Sequence, residues 1–564
     1  MGIAAAFACA GPAAAQAPPQ PHPLSGEGSN FEIVANVPMV GNSDAPAASD
    51  LELHGDHAFV GSYGEGMVVV DISNPLQPKR VGVFDCPGGQ NDIQLSPDGK
   101  IAVMAIDTTS NECHPGDEGT VIIDVSDPAK PREIAYIDEA ELPDGAHNNT
   151  LDWPYLYVDQ YTTSYSRLEI FDLSTPSVPR KTAELSFNGE DSVHDLSVDH
   201  RPDGKTFAYA ASMSFTDVID VTDPSKPILR ERVSDPHVTI SHQAEANFDR
   251  TLLLVTDEYN GGAAFTGACG GSPAARVPFP GGVPGVGDPQ NVGALHIYRL
   301  DKSGTIADAG GLDKAGTYNI AYQPNEEPSA GCTIHVFWQA PNENRMVAAW
   351  YGRGARVIDY SDPTKPKELG HFIPTQSDMW AAKPHRGFIY TGDILRGMDV
   401  LRYKGEGGAR WPATSGPAEL QRARQQGVTE PVPTGDPAPA TPATPPAEPQ
   451  QPPPKPAPRL RVGRRAFTKH VRIPNVRGRR KAELVVSFYR NRGLMTRTRL
   501  TTRDARVAKL SSQVAGLAGH YRYTVRLGDR GRFLARGIVR VRRSDTTRVD
   551  LPPGQNLICR VSAK

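Results

Sequence analysis

No stretch of the chain reaches the roughly 18–20 consecutive apolar residues that a membrane helix needs, so no transmembrane segment is expected. Cysteine is scarce. The 564 residues hold six, at Cys9, Cys86, Cys113, Cys269, Cys332 and Cys559, and none has the C-x-x-C spacing of a zinc or redox site. There is no G-x-S-x-G, no H-E-x-x-H and no Walker loop, so none of the common catalytic signatures is present and no catalytic residue is assigned. Pro97-Asp98-Gly99 and Pro202-Asp203-Gly204 are turn chemistry. Acidic residues nearly vanish from the C-terminal part: residues 459–564 hold 28 of the 60 Lys and Arg but 5 of the 64 Asp and Glu. The small net charge of −4 therefore hides an acidic body and a basic appendage. That appendage carries no nucleic-acid-binding motif.

What the chain does have is a repeated sentence. Residues 66–78 read Gly-Met-Val-Val-Val-Asp-Ile-Ser-Asn-Pro-Leu-Gln-Pro, and close copies occur at 121–131, 168–179, 218–227 and 356–366. A short Val/Ile run reads as a buried strand. The Asp and Ser/Thr that follow bond nearby backbone, and Pro presets a turn. The Asp positions are Asp71, Asp124, Asp172, Asp220 and Asp359, with gaps of 53, 48, 48 and 139 residues. Two worn copies, at 293–299 and 397–402, fill the long gap and extend the series to seven units. Arg299 replaces the Asp in the first of them. A period of about 40–50 residues with strand signals throughout predicts an all-β, seven-bladed propeller over 31–404. The last unit shows three strands where the others show four. The early candidate strand at 31–37 is therefore expected to complete it and close the ring, since an open ring leaves two unpaired edges.

The motif Val-Val-Val-Asp-Ile-Ser-Asn-Pro, with His-Asp or a variant opening the next unit, resembles the LVIVD-repeat family of β-propellers over about residues 31–404. Its members are mostly secreted or surface-attached bacterial proteins with no single established activity. The resemblance implies a propeller and a location outside the cytoplasm, and names no ligand.

Four units place a histidine where the innermost strand begins: His147, His194, His242 and His335. In a propeller that strand lines the central channel, so these side chains are expected in one ring about the axis. The second strand of each unit ends on the same rim, which brings Asp159, Asp257 and Glu258 there as well. Imidazole and carboxylate suit a divalent metal ion or a polar ligand. A purely structural role for a residue repeated in four of the blades stands beside that reading. The same topology puts Cys86 near Cys113 and Cys269 near Cys332, two disulfides to be tested against four free thiols. Cys559 has no evident partner.

Residues 1–17 are Ala-rich and end like a signal peptide, and 18–30 read as a flexible leader. Residues 411–458 are a Pro/Ala-rich extended linker. Residues 459–564 alternate apolar and polar, as expected for a small, Ig-like β-sandwich. The chain thus reads as a secreted, monomeric binding module of unknown ligand, whose basic domain adheres to acidic cell-wall or surface polymers. The alternative is a metal-dependent oxidase or lyase working at the His/Asp rim.

Overall fold

The computed structural model describes residues 20–406, except 41–46, 108–112, 144, 160–166, 188–192, 236, 259–292, 308–313, 321–331 and 342, together with eight strands between 464 and 563. Two compact units result, one centred on the repeats and one on the C-terminal strands.

The first unit is a ring of seven antiparallel sheets. Blade one shows the pattern: Leu51–His54, His57–Ser62, Gly66–Asp71 and Lys79–Asp85, paired in sequence order. The apolar run in the third strand is continuous because both of its faces are buried. Val68 and Val70 pack toward blade seven with Ala381, Tyr390 and Val400. Met67 and Val69 pack toward blade two with Ile93, Met104 and Val121. Each fully buried valine contributes about 2 kcal/mol. Equivalent apolar layers separate every adjacent pair of blades around the ring.

The Asp of the motif works as its chemistry predicts. The backbone N–H of Ser73, Ser126, Ser174, Thr222 and Ser361 donates to Asp71, Asp124, Asp172, Asp220 and Asp359, respectively, at 2.8–3.1 Å. Where Arg402 stands instead, in blade seven, it pairs with Glu32 of the closing strand at 2.7 Å. Gly66, Gly293, Gly354 and Gly397, each just before or at the start of a third strand, have φ of +88°, +71°, +70° and +84°. A side chain would strain that turn. In all seven blades the third and fourth strands meet with a one-residue register shift, which increases the twist of each sheet.

Blade seven consists of Met379–His385, Phe388–Asp393 and Met398–Tyr403, and Phe31–Val37 supplies its outermost strand as expected. One difference appears in the leader. Gly26–Ser29 is not free but pairs with Lys367–Pro374, giving blade six a fifth strand. The pairing is carried by backbone hydrogen bonds, which a polar, Gly-rich segment can make without an apolar signature.

The second unit contains two four-stranded antiparallel sheets. Glu483–Tyr489, Tyr521–Leu527 and Phe533–Val541 fall on strands Ala482–Arg490, Gly519–Leu527 and Phe533–Val541. Five further strands, Arg464–Arg472, Gly493–Thr502, Val507–Ser512, Thr546–Val549 and Arg560–Ala563, accompany them. The signal-like segment 1–17 and the linker 411–458 lie outside the described residues.

Candidate functional site

The start of each innermost strand faces the ring axis, and the structure brings the four histidines together there. They come from blades three to six and form a continuous arc. Ring centroids are 4.5 Å apart for His147 and His194, 4.2 Å for His194 and His242, and 4.2 Å for His242 and His335. Trp380 of blade seven extends the arc at 4.4 Å from His335. All four histidines are 6% exposed or less.

Two of the rings have their tautomer set by a partner behind them. His335 Nδ1 donates to the Trp380 carbonyl at 2.6 Å, which leaves Nε2 as a bare lone pair. That atom has no hydrogen-bond partner and lies 3.8 Å from Glu258 Oε1. His147 Nδ1 faces Asp107 Oδ2 at 3.2 Å, and its Nε2 faces His194 Nε2 at 3.0 Å. Burial lowers the pKa of His335 to about 3. Burial, reinforced by the neighbouring imidazoles, holds His194 and His242 well below the usual histidine range. These rings are neutral at physiological pH.

Glu258 closes the arc from beneath. Its Oε2 is 3.6 Å from His242 Nε2, and its Oε1 accepts a bond from the Tyr351 hydroxyl. Burial pushes its pKa up to about 8. His194, His242 and Glu258 each offer one donor atom, and those atoms lie within 4.8 Å of one another. Among the described residues this is the group with metal-ligand character.

The other two rim candidates play different parts. Asp257 accepts from the backbone N–H of Thr239 and Ile240, both at 2.9 Å, and from that of Gly293 at 2.8 Å. It holds the loops that present Glu258, and its oxygens are already engaged. Asp159 is fully buried and neither of its carboxyl oxygens has a hydrogen-bond partner. Burial, then the charges of Asp195 and Asp92, raise its pKa well above the ordinary range.

Sequence reading missed the acidic wall below the mouth. A cavity of about 230 Å³ runs along the innermost strands. Asp50, Glu52, Asp92, Asp152, Asp195 and Glu245 line it, and Lys383 is its one lysine or arginine. Lys383 is 2.7 Å from Glu52 and 3.3 Å from Asp50. Burial opposes its charge, but Asp50 and Glu52 more than offset this and raise its pKa. Burial and then Asp50 raise Asp92 well above its ordinary value. The signal was present as Asp50-x-Glu52, Asp92-x-Gln94 and Gln243-x-Glu245, polar residues on alternate positions. Such a face is normally solvated, and in a ring it turns inward. Its other members stitch the strands together: Asn148 donates to the His194 carbonyl, Thr150 to that of Leu196 and Ser197 to that of Ala244 at 2.8–2.9 Å.

Cys86 and Cys113 form a disulfide with Cα atoms 5.0 Å apart. Cys332 is disulfide-bonded. Cys269, the partner expected for it, lies outside the described residues, as does Cys559.

The LVIVD repeat model matches residues 46–86, 116–138 and 206–235. Solved structures with similar coordinates include three propeller-sized chains. A functionally unknown protein from Desulfotomaculum acetoxidans is 13% identical, with 61% of this chain and 95% of that one covered and a TM-score of 0.40. A protein from Lactobacillus plantarum is 9% identical, with 60% and 94% covered and a TM-score of 0.42. The WD40 propeller domain of Doa1 is 9% identical, with 66% and 97% covered and a TM-score of 0.41. No curated protein sequence matches the chain significantly. Repeat motif, blade count and sheet topology agree: the first unit is a seven-bladed β-propeller that carries LVIVD repeats.

Proposed function

We propose that the propeller is a binding module whose axial channel takes a small organic cation. The observation that carries this reading is the imbalance of the cavity wall: six carboxyl side chains, Asp50, Glu52, Asp92, Asp152, Asp195 and Glu245, against the ammonium of Lys383 and the imidazole of His200, which pairs with Asp152 at 2.8 Å. Buried carboxyls without counter-charges are costly. A primary amine entering the channel supplies the missing charge, and Trp380 offers its ring to the same cation. Isothermal titration with putrescine, and with succinate as the anionic control, tests the reading. Saturable binding of the amine alone is expected, about tenfold weaker or worse in Asp92→Asn and Glu245→Gln. Equal affinity for both probes, or unchanged binding in the two variants, overturns it. An oxidase or lyase activity at the His/Asp rim remains the second possibility, and it would require a bound metal.

The module is further proposed to work outside the cytoplasm, with residues 459–564 as an electrostatic anchor on acidic surface polymers. The Cys86–Cys113 disulfide supports an oxidising compartment. The excess of 28 Lys and Arg over 5 Asp and Glu supports the anchor. Retention of the chain on cell-wall material should fall steeply as salt is raised, and retention indifferent to salt would refute electrostatic adhesion.

A further inference from the structure

We propose that His194, His242 and Glu258 form a binding site for a divalent transition-metal ion at the channel mouth, with the Nε2 atoms of His335 and His147 at its flanks. The site shares His242 and His335 with the lining of the cavity but uses none of the wall's carboxyls, so the proposal stands whether or not that wall binds an amine.

Three observations point to a metal and not to an ordinary buried hydrogen-bond network. Nitrogen donors from four different blades converge on one small volume, with one carboxylate among them. A set rich in imidazole suits zinc, copper, nickel or ferrous ions and is poor for magnesium or calcium, which prefer oxygen. Secondly, the outer nitrogens are spoken for. His335 Nδ1 is tied to a backbone carbonyl and His147 Nδ1 to the Asp107 carboxylate. Such outer partners fix ligand tautomers in metal centres and aim the inner lone pairs. Thirdly, the inner end is left unfinished. His335 Nε2 is buried, has no hydrogen-bond partner, and points at a carboxylate 3.8 Å away. The Glu258 oxygen nearest this lone pair already accepts from Tyr351, so His335 Nε2 is left without a donor. A cation between them would satisfy both. Tyr351, which donates to Glu258, is then the outer partner of the carboxylate.

The donor atoms of His194, His242 and Glu258 spread over as much as 4.8 Å. Bonds of about 2.0–2.1 Å in a tetrahedral site bring ligand atoms to roughly 3.3 Å from each other. Loading therefore draws the three side chains inward, a movement that rotamer adjustments can supply.

The test uses the full chain purified without a histidine tag. The protein is incubated with Zn(II) or Cu(II), desalted, and analysed for metal by mass spectrometry. Retention of about one ion per chain is expected, with magnesium and calcium lost on desalting. His194→Ala/His242→Ala should retain a tenth of that or less. Because that double variant removes two buried rings, Glu258→Gln is measured beside it. This variant keeps the shape and the Tyr351 contact, and zinc should raise the Tm of the parent chain but not of Glu258→Gln. A folded parent chain that retains no zinc or copper, or variants that retain and respond like the parent, would overturn the assignment.

Discussion

Asp172 and Asp159 stand at opposite ends of the same pair of strands in blade three, where Tyr155 is opposite Asp172 and Leu168 opposite Asp159. At the turn end, Asp172 accepts from Ser174 and Arg180, remains in reach of water, and has its pKa lowered, chiefly by the Ser174 bonds. At the channel end, Asp159 is sealed from solvent with no donor at either oxygen and its pKa is raised. Asp71 and Asp124 repeat the first condition, and Asp92 and Glu258 share the raised pKa of the second, although each keeps one donor, the Asn149 N–H and the Tyr351 hydroxyl. The same residue type thus does two jobs at the two ends of a blade. One end spends its carboxylates on local turn geometry, which each unit needs in order to fold. The other accumulates carboxyls whose burial disfavours their charge.

The contrast can be broken most forcefully at the channel end. Replacing Cys86 and Cys113 by Ser opens a loop spanning 27 residues, and should cost about 3–4 kcal/mol on the chain-entropy account, read as a fall in urea midpoint. Equal stability of parent and variant would show that the loop is held by packing alone. Next in size is Tyr351→Phe, which strips Glu258 of its hydroxyl donor and should cost about 1–3 kcal/mol. This loss should grow when zinc is present, because Tyr351 also supports the Glu258 ligand and zinc then stabilises the parent more than the variant.

Acid–base behaviour sharpens the contrast further. A carboxyl with a raised folded pKa stabilises the fold below its unfolded value near 4, and that contribution is lost as pH rises through the folded pKa. Asp159 should therefore make the chain less stable on going from pH 4 to pH 8, and Asp159→Asn should flatten that slope. An unchanged slope would remove Asp159 from the account. The turn aspartates have the opposite sign. Their lowered pKa gives stability that is present above pH 4 and lost as pH falls below it. Asp124→Asn should weaken this acid-side loss, and its effect at neutral pH should stay within about 1 kcal/mol because its partner Arg132 is exposed.

The ring was readable because its signal is local and repeated. An apolar run, an Asx-type turn and a proline recur with a nearly constant spacing, so blade count and closure by Phe31–Val37 follow from strand physics. The histidines were readable for the same reason, since they recur at one position of the unit. Lys383, Glu52 and Glu245 were not. Each sits on an alternating polar face that looks like an ordinary wet strand edge, and only the curvature of the whole ring turns it into a channel wall. Nor could sequence divide Asp257 from Glu258. They are neighbours of like chemistry, and backbone N–H groups of Thr239, Ile240 and Gly293 claim one of them.

The pairing of Phe31–Val37 with Met398–Tyr403 also sets a timetable. On a ribosome adding residues one after another, the first strand of the ring must wait, unpaired, until its mate near residue 403 emerges. Early blades can collapse meanwhile, but the last edge stays open until more than 400 of the 564 residues have been added. Pairings this distant along a chain form slowly, and an exposed edge invites wrong partners. A chain joined this way locks its ring only after the whole array of repeats has been made.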